Sequence, residues 1–115
     1  MTDGLWAVRL SAAAQGDFND ILRWTLRHFG PEQARIYAET LSDAVAALTA
    51  GPSLAGVVAR DEIEEGLFTL HVARDGRRGR HFVLFRWGDR TVDVLRLLHD
   101  AMDLPRHLPP PAKDH

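Results

Sequence analysis

The chain has 115 residues, 45% of them apolar and 26% charged, with a formal net charge of −2 and no cysteine. That length and balance give one globular domain with a real core, and they exclude a disordered chain, a collagen or a coiled coil. Without cysteine there is no disulfide framework, thiolate metal site or Cys nucleophile.

No basic leader followed by a long apolar run opens the chain, and no apolar run approaches the length of a membrane span. A cytoplasmic protein without membrane contact is the expectation. Charge is unevenly spread. Residues 1–65 hold five Arg against ten acidic residues, a net of −5, and residues 66–115 hold nine Lys/Arg against six, a net of +3. Every cation except Lys113 is Arg, whose planar fork grips carboxylate and phosphate in a way Lys cannot.

Leu5-Trp6-Ala7-Val8-Arg9-Leu10 reads as a first strand, and Ser11 offers an N-cap to a helix starting at Ala12. Phe18, Ile21, Leu22, Thr25, Leu26 and Phe29 form one stripe at helical spacing. Gly30-Pro31 ends that helix and begins the next. The second stripe, Ala34, Tyr37, Ala38, Leu41, Val45 and Leu48, predicts a helix to about Ala50, stopped by Gly51-Pro52. So short a connection makes the pair an antiparallel α-hairpin.

Residues 53–65 carry no period and read as a loop, with a turn of extended chain at most. Its acidic run from Asp61 to Glu65 reads as a solvated stretch. Three strands follow: Leu67 to Ala73, His81 to Trp87 and Thr91 to Leu98. Between the first two, Arg74-Asp75-Gly76-Arg77-Arg78-Gly79-Arg80 is a turn and the most basic spot in the chain. Gly88-Asp89 is a tight-turn candidate. The order strand, helix, helix, strand, strand, strand implies an α+β fold with the hairpin packed on one face of an antiparallel sheet. His71, His81, Arg86 and Arg96 are candidates for the other face. Alternation places Arg96 with Val92 and Val94, where an unpaired charge is costly, so Asp103 or Asp93 is its expected partner. Pro105 and the run Pro109-Pro110-Pro111 deny further regular structure.

Four segments carry a family likeness: Leu10-Ser11-Ala12-Ala13; Gly30-Pro31-Glu32-Gln33-Ala34 with Tyr37; Arg60-Asp61-Glu62 with Gly66-Leu67; and Leu95-Arg96-Leu97-Leu98-His99 with Met102-Asp103 and Arg106-His107-Leu108. In this order the chain resembles the ParE branch of the RelE/ParE superfamily of bacterial type II toxins. The resemblance implies one domain over residues 1–108 and a flexible Pro-rich tail over 109–115. It also implies a toxin that blocks DNA gyrase by binding, is neutralised by a ParD-like antitoxin, and meets DNA only through that antitoxin.

The residues nominated for target or antitoxin contact are Arg74, Arg77, Arg78, Arg80, Arg96, His99, Met102, Asp103, Arg106 and His107. No catalytic residue, cofactor or metal is expected; among the six His, no pair has the i,i+4 or tight-turn spacing of a metal site, His99 and His107 included. The alternative is a ribosome-dependent mRNA endonuclease, as in the sister RelE branch. It would need cations at a developing phosphorane and groups that move protons. Arg80, Arg86, Arg96 and His99 would supply those, with Glu62 or Glu64 as base. A third reading is a toxin-derived binding domain that has lost toxicity.

Overall fold

The computed structural model describes residues 4–101. Strand β1 (Ala7–Leu10) leads into α1 (Ala12–Phe29) and α2 (Pro31–Ala47), and a short 3-10 turn follows at Leu48–Ala50. Then come β2 (Val58–Ala59), β3 (Phe68–His71), β4 (His81–Gly88) and β5 (Thr91–His99). The sheet order is β1-β5-β4-β3-β2. This is the α+β arrangement expected, with two corrections. The sheet is mixed, because β1 runs parallel to β5 while all other pairs are antiparallel. The chain leaves β1 directly into α1, and the long return through the rest of the fold lets β5 arrive beside it in the same direction. The loop after α2 also holds the two-residue strand β2, paired with β3.

The helices start and stop where local chemistry dictates. Ser11 Oγ accepts the Ala14 N–H at 2.9 Å, capping α1. Gly30, at φ +92°, sends its N–H to the Leu26 carbonyl and hands over to Pro31, whose missing donor is harmless in a first turn. Leu41, Ala44 and Leu48 from the second helical segment meet Leu70, Val72, Val83, Phe85, Val92 and Val94 from the sheet, with Phe18, Ile21 and Leu22 of α1 packed alongside. A second cluster, Leu67, Phe82, Leu84 and Leu98 with Ile63 and Leu95, lies on the opposite face.

A β-bulge decides which β5 residues face which cluster. Leu84 lies opposite Arg96, but its neighbour Phe85 lies opposite Val94, so Leu95 is the extra residue. Side-chain alternation flips there. Val92, Val94 and Leu97 therefore share the main core, while Leu95 and Leu98 join the second cluster, and Arg96 leaves the face that strict alternation assigned to it. The tight turn also sits one residue later than expected: Gly88 pairs with Thr91, and Asp89 (φ 52°) and Arg90 (φ 59°) form the loop. The closing segment containing Met102, Asp103, Arg106 and His107, and the Pro-rich tail, lie outside the described residues.

A groove at the end of the helical hairpin

The two helices diverge enough to leave a groove of about 970 Å³ between them and the β3–β4 loop. Ile21, Trp24 and Phe29 of α1 and Ile36 and Tyr37 of α2 make its floor. Trp24 is 50% exposed and Phe29 63%, so this floor is open apolar surface. Trp24 stacks on His28 with ring centroids 4.1 Å apart and meets Phe29 edge-on, which gives the patch a fixed shape. The sequence stripe put Phe29 on the buried side and passed over Trp24. A large aromatic off the stripe was the available signal that the helix has a second apolar face.

The basic loop forms the rim. Asp75 (φ 54°) and Gly76 (φ 80°) turn the chain, with the Arg77 N–H on the Arg74 carbonyl. Arg77 is held by Asp43 and reaches Thr40 on α2. Arg74 meets its neighbour Asp75 at 3.4 Å. Arg78 is exposed and makes no hydrogen bond or ion pair among the described residues.

Tyr37, His81 and His99 close the groove's inner end. Tyr37 Oη lies 2.7 Å from His81 Nδ1 and accepts the Arg80 N–H at 3.1 Å. Burial pushes the Tyr37 hydroxyl up from its ordinary pKa. His81 faces the helices, not the opposite face to which sequence assigned it, because it shares the side of β4 that carries Val83 and Phe85. Burial, reinforced by the neighbouring His99 ring, lowers its pKa to about 4, so it is neutral near pH 7. His81 and His99 stand opposite each other across β4 and β5, with ring centroids 5.2 Å apart in an edge-on contact.

Asp100 ties this end together. It bonds Arg80 at 3.1 Å and His71 at 2.9 Å. The Arg80 bond first, then His71, holds its carboxyl at about 2. Sequence reading nominated Arg80 and His99 here, put His81 on the other face, and missed Tyr37 and Asp100; His71 shares the opposite face with its cross-strand partner Phe82, as expected. Tyr37 read only as part of a stripe, and the convergence depends on β3, β4 and β5 ending together.

A search against models of known families matches residues 8–104 to the ParE toxin of type II toxin-antitoxin system, parDE. The chain belongs to the ParE toxin family. It is 35% identical over 100 residues to Toxin ParE1 of Mycobacterium tuberculosis, covering 86% of this chain and 94% of that relative. It is 32% identical to Toxin ParE1 of Caulobacter vibrioides, covering 87% and 95%. Among solved structures, a chain from the chromosomal ParDE system of P. aeruginosa superposes with a TM-score of 0.68 at 19% identity, over 84% of this chain and 97% of that one. The fold is therefore that of ParE-like toxins, and the chain is a type II toxin–antitoxin toxin of the ParE family.

In this ParE-family chain the residues nominated for the nuclease alternative scatter. Arg80 and His99 line the groove. Arg86 pairs with Glu64 at 3.4 Å on the opposite face of the sheet. Glu62 lies 3.5 Å from Arg60 in the same loop region. Arg96 is committed to Asp17 of α1, through Nε at 2.7 Å and a second nitrogen at 2.9 Å. Asp17 takes the role expected of Asp103 or Asp93. Asp93 instead pairs with Arg9, and Asp103 lies outside the described residues. The missed partner came from a helix 79 residues away in sequence, beyond what local spacing reveals. No cluster of three or more metal-ligating side chains occurs among the described residues, and none of the described helices is long and apolar enough to cross a membrane.

Proposed function

We propose that this chain poisons DNA gyrase by binding it in the cytoplasm, cleaves no bond itself, and is held inactive by a ParD-like antitoxin. The antitoxin's amphipathic segment lies in the groove between the α-hairpin and the β3–β4 loop, and any contact with DNA runs through the antitoxin. The observation that carries this reading is the groove floor. Trp24, Phe29 and Ile36 form open apolar surface beside a rim of Arg. Exposed aromatics rimmed by charge mark a protein-docking site, and a groove along two helices accepts an amphipathic helix through its apolar face. The similar P. aeruginosa structure comes from a ParDE system, which supports the choice of partner.

The dispersal of Arg80, Arg86, Arg96 and His99 supports inhibitory binding over phosphodiester cleavage. Acid–base chemistry needs its groups within reach of one phosphate, and here Arg86 and Arg96 are each engaged away from the groove by their own carboxylates. The test uses purified chain in two assays. Gyrase supercoiling should be inhibited, and mRNA on translating ribosomes should stay intact. Ribosome-dependent cleavage that disappears in His99→Ala would replace this reading with the nuclease, whereas growth unaffected by expression without antitoxin would leave a binding domain devoid of toxicity.

A further inference from the structure

Three histidines gather where β3, β4 and β5 end, His81 and His99 lining the groove and His71 on the opposite face of the sheet, and hydrogen bonds set their rings alike. His71 Nδ1 accepts the Ala73 N–H at 3.0 Å, and His99 Nδ1 accepts the Ala101 N–H at 3.1 Å. A backbone N–H can only donate, so each neutral ring carries its hydrogen on Nε2. The Tyr37 hydroxyl accepts the Arg80 N–H, and the arrangement that also uses its own hydrogen has it donate to His81 Nδ1. His81 is therefore an Nε2–H ring too.

These Nε2–H groups have different fates. That of His71 is taken by Asp100 at 2.9 Å. Those of His81 and His99 have no protein partner among the described residues, and neither nitrogen is a buried unpartnered atom. Neither donor is fully buried, and both rings line the groove. On the rim, Arg77 is neutralised by Asp43 and Arg80 by Asp100, while Arg78 remains without a partner. The carboxylates along the same groove, Asp20 and Asp75, are engaged by Arg23 and Arg74. Spare donors beside carboxylates that are each paired with an arginine describe a place for an anion.

We propose that the inner end of the groove is a subsite for one carboxylate, an Asp or Glu side chain of the docked segment, gripped by the Nε2–H groups of His81 and His99 and by Arg78. This rests on the docking reading above. One unpaired guanidinium balances a single negative charge, and the two imidazole N–H groups supply hydrogen bonds to it. A nucleic-acid strand would need a row of free cations, and the other guanidiniums of the rim are already matched by carboxylates. The apolar floor beside the subsite calls for an aromatic or aliphatic anchor on the same segment, so the partner is an amphipathic helix whose apolar face is flanked by an acidic residue.

Full-length protein labelled with ¹⁵N at histidine is titrated with two short synthetic helices that share a Leu/Trp apolar face and differ only in Glu or Gln at the flanking positions. A single-stranded DNA oligomer serves as competitor. The Glu peptide should bind about tenfold tighter than the Gln peptide, the gain of one charge-assisted contact, and should shift the His99 Nε2 resonance. Arg78→Ala, at an exposed position without a partner, should erase most of that gap, and His99→Gln the remainder. If the Gln peptide binds as tightly as the Glu peptide, the subsite is wrong and the docking reading stands. If neither peptide binds, the docking reading falls and takes the subsite with it. DNA that displaces the Glu peptide and binds more tightly would make this a phosphate site and overturn the proposal.

Discussion

The carboxylate of Asp17 holds Arg96 through two hydrogen bonds and also accepts the backbone N–H of Leu97 at 3.0 Å. This one side chain completes the edge of β5 where β1 has run out. Just before it, the Ser11 N–H caps the Val94 carbonyl and the Ser11 hydroxyl caps that of Leu95. The entry to α1 therefore replaces the missing strand, group for group.

The two partners are not equivalent, and that asymmetry is measurable. Asp17→Ala strands a guanidinium and a strand N–H together, whereas Arg96→Ala leaves Asp17 with the Leu97 bond. Asp17→Ala should cost about 2–4 kcal/mol, reduced from the fully buried case because Arg96 keeps some solvent contact. Arg96→Ala should cost about 1 kcal/mol less. Urea unfolding of both single variants and the double variant checks this, and equal losses in the two singles would show that the Leu97 bond contributes nothing.

The rim loop depends on a residue with no side chain. A Cβ on Gly79 would lie 2.6 Å from Val72 Cγ2 and 2.8 Å from Tyr37 Oη, both closer than packed atoms approach. Neither neighbour can yield, because Val72 is core and Tyr37 is fixed by Arg80 and His81. Gly79→Ala should therefore lift the loop, break the Arg80 N–H bond to Tyr37 and cost about 1–3 kcal/mol. Thermal unfolding reads the loss, and amide exchange at Arg80 should speed up in the variant.

Much of this arrangement was legible in the sequence because it is local. Helical spacing, the Ser11 cap and the Gly30-Pro31 junction each act within a few residues, and all three stand in the structure. The Arg-rich turn was visible for the same reason. The parallel pairing of β1 with β5 was not, since it joins the two ends of the described fold. Nor was the bulge at Leu95, which gives no sign in a run as uniformly apolar as Val94 to Leu98 and yet reassigns the side of Arg96. The groove fell between these cases. Its rim cations Arg77, Arg78 and Arg80 could be nominated from charge, but its floor depends on how far two helices separate.

The exposed floor permits variants that leave folding intact. Trp24→Ala and Phe29→Ala remove side chains that are at least half exposed, so the unfolding temperature should move by a few degrees at most. Binding of the cognate antitoxin should weaken about 10- to 100-fold for Trp24→Ala, as for an aromatic anchor at the centre of an interface. Calorimetric titration measures the affinity. An unchanged affinity in both variants would move the docking site elsewhere on the protein.

The pH dependence of stability isolates His81. Its folded pKa, about 4, lies below the ordinary 6.5, so between those values the unfolded chain binds a proton that the folded chain does not. Stability is then greatest above pH 6.5, falls as the pH drops through that window, and levels off near 4. The loss should be on the order of 1–2 kcal/mol once partial exposure of the ring is allowed for. Asp100 does not confuse the measurement. Its carboxyl is held at about 2, so its contribution is complete above pH 3.8 and disappears only as the pH falls toward 2. Denaturant unfolding at half-unit steps from pH 7.5 to 4 should show the decline, and His81→Gln should flatten it. A variant with an undiminished slope would assign the proton uptake to another group.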